Sequence, residues 1–397
     1  MTLLLSRVRW VPLCCSALLL AGGSLGAGTF ARQGAEFRMT SPLRGDQVFP
    51  HVSLGAGGGY VVWHDNATDG DGTGISARRV DAGLSGVLGV FRVNSVGTAD
   101  QEKPQVAVLQ DGGAAFVWQG GANGKQKIYA RFVKPDGTFR SADLQVNTYA
   151  GGFQIEPAVA TLQDGGAVVV WNSFGQDGSM LGVYGQRFST TGQKVGAEFA
   201  VNQYTEFNQR SATVAGLPGG RFLVAWVCES PLGQTVFDTT PTGGYSGSDA
   251  GVPLHDVAIL ARCFSATGEP EGDEFQVSSS AVLAANPAIS VAEDGSMLVA
   301  YSGRKAQLPV GAQSTDRWDV YGRLLQADGT PLSAEFTINT RLRGDQYAPR
   351  LARVGGRFFA VWTTVGQDGS YEGVCGRAVE ANGPAGSEVF VNTTTAM

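Results

Sequence analysis

The chain predicts an all-β fold: a six-bladed β-propeller of four-stranded antiparallel blades, its ring closed by a terminal strand. Three observations carry that reading. Glycine supplies 57 of 397 residues, about twice the usual share of roughly 7%. A five-residue motif returns seven times at near-constant spacing. Between its copies stand six Gly-centred hairpins, each closing on a large aromatic residue. Collagen is excluded because the glycines keep no period of three. Disorder is excluded because 43% hydrophobic residues at a net charge of −6 bury a core.

The first element is an export signal. Arg7 and Arg9 precede an apolar run at 10–20 that fades into small residues. A basic start, a short apolar stretch and a small-residue exit predict a signal peptide over 1–31, cleaved after Ala27, Gly28 or Ala31. The run is short for a membrane helix, and no later stretch reaches about 18 apolar residues, so the mature chain is expected to have no membrane span. Cys14 and Cys15 sit at the start of the run, where a lipid-bearing cysteine would follow its end. A secreted, periplasmic or cell-surface location is expected. The mildly acidic balance argues against nucleic acid as a partner. Cys228, Cys263 and Cys375 remain, an odd number that forms one disulfide at most.

Residues 32–397 are then one domain. The motif reads EFRMT at 36–40, VFRVN at 90–94, DLQVN at 143–147 and EFAVN at 198–202, then EFQVS at 274–278, EFTIN at 335–339 and EVFVN at 388–392. Its copies divide the chain into units at about 41–94, 95–147, 148–202, 203–278, 279–339 and 340–392, the fourth and fifth lengthened by insertions. Within a unit, a run such as VAVLQDGGAAFVW (106–118) reads as two strands about a tight turn, where Asp-Gly-Gly supplies the positive φ of a two-residue hairpin. A third strand follows, KIYARFV in unit two and GVYGQRF in unit three, and the motif is the fourth. Units of this size and strand count are propeller blades.

Trp63, Trp118, Trp171, Trp226, Tyr301 and Trp362 end the second strands. Such a ring of aromatics serves either as a stacking platform or as packing between blades, and repetition in every unit favours packing. Seven motif copies for six hairpins leave one in excess. We therefore expect the strand at 36–40 or at 388–392 to complete a blade beside strands from the other terminus, since an open edge leaves backbone groups unpaired.

The segment VVVWNSFGQDGSMLGVYGQRFSTTGQKVGAEFAVN (168–202) resembles a repeat of bacterial exported proteins found in long surface and calcium-binding repeat chains. TTVGQDGSYEGVCGRAV (363–379) shares the likeness. The resemblance implies a secreted repeat propeller and brings no catalytic residues. A fainter likeness is to the integrin α-chain propeller, though its regular five-acid calcium loop is missing here.

Loops after the second and fourth strands emerge on one face, and both insertions, 228–256 and 302–319, lie there. Length variation confined to one face of a rigid ring marks the binding face. Glu229, Asp238, Tyr245, Asp249, His255, Asp256, Arg304, Asp316 and Trp318 are its candidate ligand residues. Asp65, Asp69, Asp71, Asp177 and Asp368 stand in Gly-rich loops as candidate calcium ligands, calcium being the one cofactor considered. Arg-Gly-Asp at 44–46 and 343–345 precedes Gln47 and Gln346, a pattern of turn capping before a strand. Three scattered histidines and the lack of a nucleophile elbow supply no catalytic constellation. The expectation is a secreted, monomeric, non-catalytic propeller that binds a glycan or protein. The alternatives are a carbohydrate-active hydrolase or lyase with acids converging on the central channel, and a structural surface scaffold.

Overall fold

A computed structural model of the chain describes residues 30–31, 34–40, 43–231, 255–279, 282–305, 318–342, 344–367, 369 and 371–394. The expected signal peptide therefore lies outside the described residues, but for its last two. Blade 1 comprises β1 (Gln47–Gly55), β2 (Gly58–Asp65), β3 (Gly74–Val80) and β4 (Phe91–Arg92). Blade 2 comprises β5 (Gln101–Val108), β6 (Ala114–Gly120), β7 (Lys127–Val133) and β8 (Leu144–Gln145). Blade 3 follows as β9 (Gln154–Thr161), β10 (Ala167–Phe174), β11 (Leu181–Phe188) and β12 (Lys194–Ala200). Blade 4 holds β13 (Gln209–Gly216), β14 (Phe222–Pro231), β15 (His255–Phe264) and β16 (Phe275–Gln276). Blade 5 holds β17 (Val282–Val291), β18 (Met297–Lys305), β19 (Asp319–Leu325) and β20 (Phe336–Thr337). Blade 6 holds β21 (Gln346–Val354), β22 (Arg357–Val365), β23 (Glu372–Glu380) and β24 (Gly383–Phe390). All six sheets pair their strands in sequence order, antiparallel throughout.

The Asp-Gly-Gly hairpins differ in one detail from expectation. Leu109 N–H donates to Gly113 O, and Gly112 N–H to Leu109 O, so three residues span the turn rather than two. Gly112 sits at φ 85°, the left-handed step that follows a type I turn in three-residue hairpins. Asp111 Oδ1 accepts the Gly113 N–H at 2.8 Å, which is why the acid precedes the glycines.

Packing decides the role of the aromatic ring. Trp63, Trp118, Trp171, Trp226, Tyr301 and Trp362 are all at most 2% exposed. Trp118 packs in the core between blades 1 and 2, Trp171 between 2 and 3, and Trp226 between 3 and 4. Tyr301 and Trp362 fill the next two interfaces. These five aromatics are mortar between blades, while Trp63 is buried but joins none of the inter-blade clusters among the described residues. Trp226→Ala is expected to lower the free energy of unfolding by about 3–5 kcal/mol in chemical denaturation, the usual cost of emptying such a site. A loss under about 1 kcal/mol would show that the interface collapses around the gap.

The motif works as an inter-blade latch. Its Asn accepts a backbone N–H from its own blade: Asn147 Oδ1 from Ile128 at 2.9 Å, Asn202 from Val183 at 2.7 Å, Asn339 from Val320 at 2.7 Å. Its acid reaches back to the preceding blade. Asp143 accepts from Ser95 and Val96 N–H at 2.9 Å, Glu274 from Gln203 at 2.7 Å and Glu335 from Ser279 at 2.7 Å. Third-strand arginines grip the preceding copy as well, Arg131 on Val93 O at 2.6 Å and Arg377 on Ile338 O at 2.8 Å.

Ring closure departs from the sequence-based expectation. Each blade is built from consecutive strands, with 388–390 inside β24, and the 36–40 copy joins no sheet. That copy is a splice between blades 6 and 1. Blade 1's own motif has Val90 where the others carry an acid, and Glu36 supplies it, accepting from Thr393 N–H, Thr394 N–H at 2.9 Å and Thr394 Oγ1 at 2.6 Å. On its other side Arg78 Nη1 of blade 1 grips Met39 O at 2.7 Å. Phe30 packs on Phe359 of β22 with ring centroids 4.5 Å apart.

The seam it bridges is unlike the other five. Among the described residues no buried apolar cluster joins blades 6 and 1. β22 alternates between buried and half-buried residues where β2 and β6 are buried throughout, and Leu54 on β1 is 46% exposed.

Candidate ligand-binding face

The first strands of consecutive blades pack side by side from β1 through β5, β9, β13 and β17 to β21, and so line the centre of the ring. Each carries a bulge at one repeat position. Phe49, Lys103, Glu156, Ser211, Asn286 and Ala348 all have φ between 49° and 55°, and the strand register slips there. Left-handed backbone at a non-glycine residue costs about 1–3 kcal/mol and persists only where its surroundings fix it. Here the preceding blade does so. Lys103 N–H donates to His64 Nδ1 at 3.2 Å, Glu156 N–H to Gln119 Oε1 at 2.9 Å, and Ala348 N–H to Ser302 Oγ at 2.9 Å. Proline follows five of the six, a recurrence visible in QVFP, QEKP, QIEP and QYAP.

The Arg-Gly-Asp triplets belong to the same turn. Gln47 Nε2 donates to Arg44 O and Gly45 O, and Gln101, Gln154, Gln209 and Gln346 repeat the cap in their own blades.

Two clefts open on the insertion-bearing face, each between neighbouring blades. The cleft between blades 5 and 6, about 490 Å³, is lined by Asn286, Ser302, Trp318, Asp345, Tyr347 and Glu372. Tyr347 OH donates to Glu372 Oε1 at 2.5 Å, and burial with that carboxylate raises its pKa above the ordinary phenol value. Trp318 N–H donates to Asp345 Oδ1 at 3.2 Å, and Trp318 O accepts Gln346 N–H at 2.7 Å, so the backbone of Trp318 is fixed to blade 6. The cleft between blades 3 and 4, about 500 Å³, is lined by Ser179, Met180, Glu206, Phe207, Asn208 and Glu229. Glu229 there is held on both oxygens, by Arg210 Nε at 2.6 Å and Asn208 Nδ2 at 2.8 Å. Aromatic, carboxylate and amide groups with nearby apolar surface suit a hydroxylated ligand.

Of the residues expected on this face, Trp318 and Glu229 line the two clefts and Arg304 is exposed at the end of β18. His255 and Asp256 start β15, opposite Pro231 and Ser230. Asp238, Tyr245, Asp249 and Asp316 lie outside the described residues. Asp345, Tyr347, Glu372, Glu206 and Asn208 were missed, because each sits in an ordinary unit, in a loop or at the start of a strand, and only the ring brings it to a cleft.

The calcium candidates are spread over separate blades. Asp69 Oδ1 accepts Asp71 N–H at 3.4 Å, Asp71 Oδ2 accepts Ala99 N–H at 3.1 Å, and Asp65 and Asp177 accept from residues two positions on. No group of three His, Cys, Asp or Glu among the described residues is arranged to hold a metal ion, and Asp368 lies outside them. Cys228, Cys263 and Cys375 are buried, and burial pushes the Cys228 thiol up to about 12.

At the channel mouth Lys103 Nζ pairs with Glu156 Oε1 at 2.6 Å, Asn172 Nδ2 donates to Glu156 Oε2 at 2.9 Å, and Gln119 Nε2 to Glu102 Oε2 at 3.1 Å. Gln119 of β6 thus bonds both Glu102 and the backbone of Glu156, whose carboxylate pairs with Lys103. No described helix is long and apolar enough to cross a membrane.

No family description matches the sequence, and no curated protein does. Solved structures do match. The GH93 α-L-arabinofuranosidase of Fusarium graminearum in complex with arabinobiose has 14% identity and a TM-score of 0.52 over 90% of this chain and 99% of its own. A mutant α-L-arabinofuranosidase of Fusarium graminearum in complex with an iminosugar inhibitor gives 13% and 0.52 over 85% and 93%. A GH43 endo-arabinanase from Bacillus licheniformis gives 10% and 0.37 over 71% and 95%. At this identity the likeness to the Fusarium structures establishes the architecture alone, a six-bladed β-propeller.

Proposed function

We propose that the protein is an exported glycan-binding propeller whose ligand enters the inter-blade clefts of the insertion-bearing face. One observation carries the reading: each insertion adjoins a cleft. Residues 306–317 lead directly into Trp318, and 232–254 follow β14 just after Glu229. The described residues that flank the two insertions thus line clefts where polar groups converge. A propeller of this architecture holds arabinobiose in the Fusarium structure, so the scaffold suits a carbohydrate.

Deletion of 232–254 tests this. Pro231 and His255 are paired across β14 and β15, so a short turn rejoins them without strain on the blade. The variant is expected to melt as the parent does and to lose capture on a glycan array; undiminished capture would defeat the proposal.

Glu102 and Glu156 at the channel mouth favour one second reading, glycoside hydrolysis by paired carboxylates. Release of reducing ends from arabinan or another polysaccharide, abolished by Glu156→Gln, would establish it.

A further inference from the structure

We infer that the cleft between blades 5 and 6 selects an amino sugar, a glycan unit bearing a free ammonium group, through the carboxylate of Glu372; the assignment rests on the glycan reading above. Asp345 and Glu372 both line this cleft, and its described lining holds no lysine or arginine. Glu372 accepts from the neutral Tyr347 hydroxyl at 2.5 Å, and among the described residues no cation pairs with it. It is exposed, so an arriving ligand reaches it. The cleft between blades 3 and 4 is built differently. Its Glu229 is matched by Arg210 Nε at 2.6 Å, so that charge is answered before any ligand arrives.

The floor of the same cleft holds an unmet polar group. Phe358, Ala360 and Trp362, alternate residues of β22, join the apolar core shared with blade 5. Thr364 continues that face toward the insertion-bearing side, beside Val365 in the cleft lining. It is 0% exposed, and its Oγ1 has no hydrogen-bond partner. Leaving a buried hydroxyl unmet is costly, and a polar group seated in the cleft relieves that cost directly or through one water.

The groups that converge here are mostly acceptors. Glu372 and Asp345 offer carboxylate oxygens, and Ser302, Tyr347 and Thr364 add hydroxyl oxygens around them. An ammonium group brings three donors and the opposite charge, so it satisfies several of these oxygens at once. Trp318 lines the same cleft, and an aromatic face attracts a nearby cation. A neutral sugar gains the hydrogen bonds without the charge. A uronate meets two like charges and is rejected.

Three trisaccharides of β-1,4-linked glucopyranose rings, which differ only at C2, provide the test. They are free-amine chitotriose, its N-acetylated form and cellotriose, titrated calorimetrically into the full chain at about pH 6, where a sugar amine is charged and carboxylates are ionised. The amine form is expected to bind about 10-fold tighter than cellotriose. In Glu372→Gln, which keeps an acceptor for Tyr347, the ratio of the two affinities should fall to about one. Wild type alone gives a second measurement: raising salt from about 0.05 to 0.5 M should shrink the preference, because screening weakens a charge pair. Equal binding of amine and cellotriose, or a preference that survives Glu372→Gln or high salt, overturns the selection of an amino sugar and leaves the glycan reading standing. Binding of none of the three overturns the selection as well, and the glycan array then decides the broader reading by itself.

Discussion

Replacing Glu36 by Gln lowers the melting temperature at neutral pH, and the difference from wild type shrinks as pH falls from about 5 toward 2. The sign follows from the latch. Hydrogen bonds from the side chain and backbone of Thr394 and from Thr393 stabilise the charged carboxylate and lower its pKa from 4.5 to about 2. A group whose folded pKa is depressed contributes stability above its unfolded pKa and loses it as pH falls through the folded one. Gln never carries the charge, so the two melting curves converge in acid. Parallel curves across that window would show that Glu36 plays no part in closure. Removing residues 30–40 altogether should cost more, because Arg78 then loses Met39 O and Phe359 loses Phe30. Burying an aromatic is worth about 1.5–3 kcal/mol. With the lost closure, a fall of about 5–10 °C is expected for a domain that shifts about 2–4 °C per kcal/mol.

That latch also shows where sequence reasoning stopped. Period, blade number and the packing role of the tryptophans follow from local patterns, because each blade repeats the same short-range solution. The excess seventh motif was visible too, but closure was expected from a strand, 36–40 or 388–392, laid beside strands of the other terminus, and the 36–40 copy joins no sheet. Strand pairing is the ordinary way to close a ring, and nothing local in EFRMT says that its acid replaces the one missing at Val90. The clefts were half legible. Trp318 and Glu229 stood out because insertions break the repeat. Their partners Tyr347 and Asn208 come from the following blade or the preceding loop and meet them only when the ring forms.

Trp318→Ala should abolish most glycan capture while leaving the fold untouched. The indole is half-buried at the edge of the blade 5–6 cleft, and the backbone of Trp318 is tied to blade 6 through Asp345 and Gln346. Its position is therefore set before any ligand arrives, and little ordering cost falls on binding. Aromatic side chains with fixed placement dominate the energetics of such surfaces, and truncating one costs about 1.4–2.8 kcal/mol, or about 10- to 100-fold in affinity. Tyr347→Phe should weaken binding less, since it removes only the hydroxyl that orients Glu372. Leu332 provides the control. It is 52% exposed on a loop between third and fourth strands, hence on the opposite face, and Leu332→Ala should capture glycan as the parent does. Loss of capture in both Trp318→Ala and Leu332→Ala would point to a general change in the ring, whereas loss in the first alone places the ligand between blades 5 and 6.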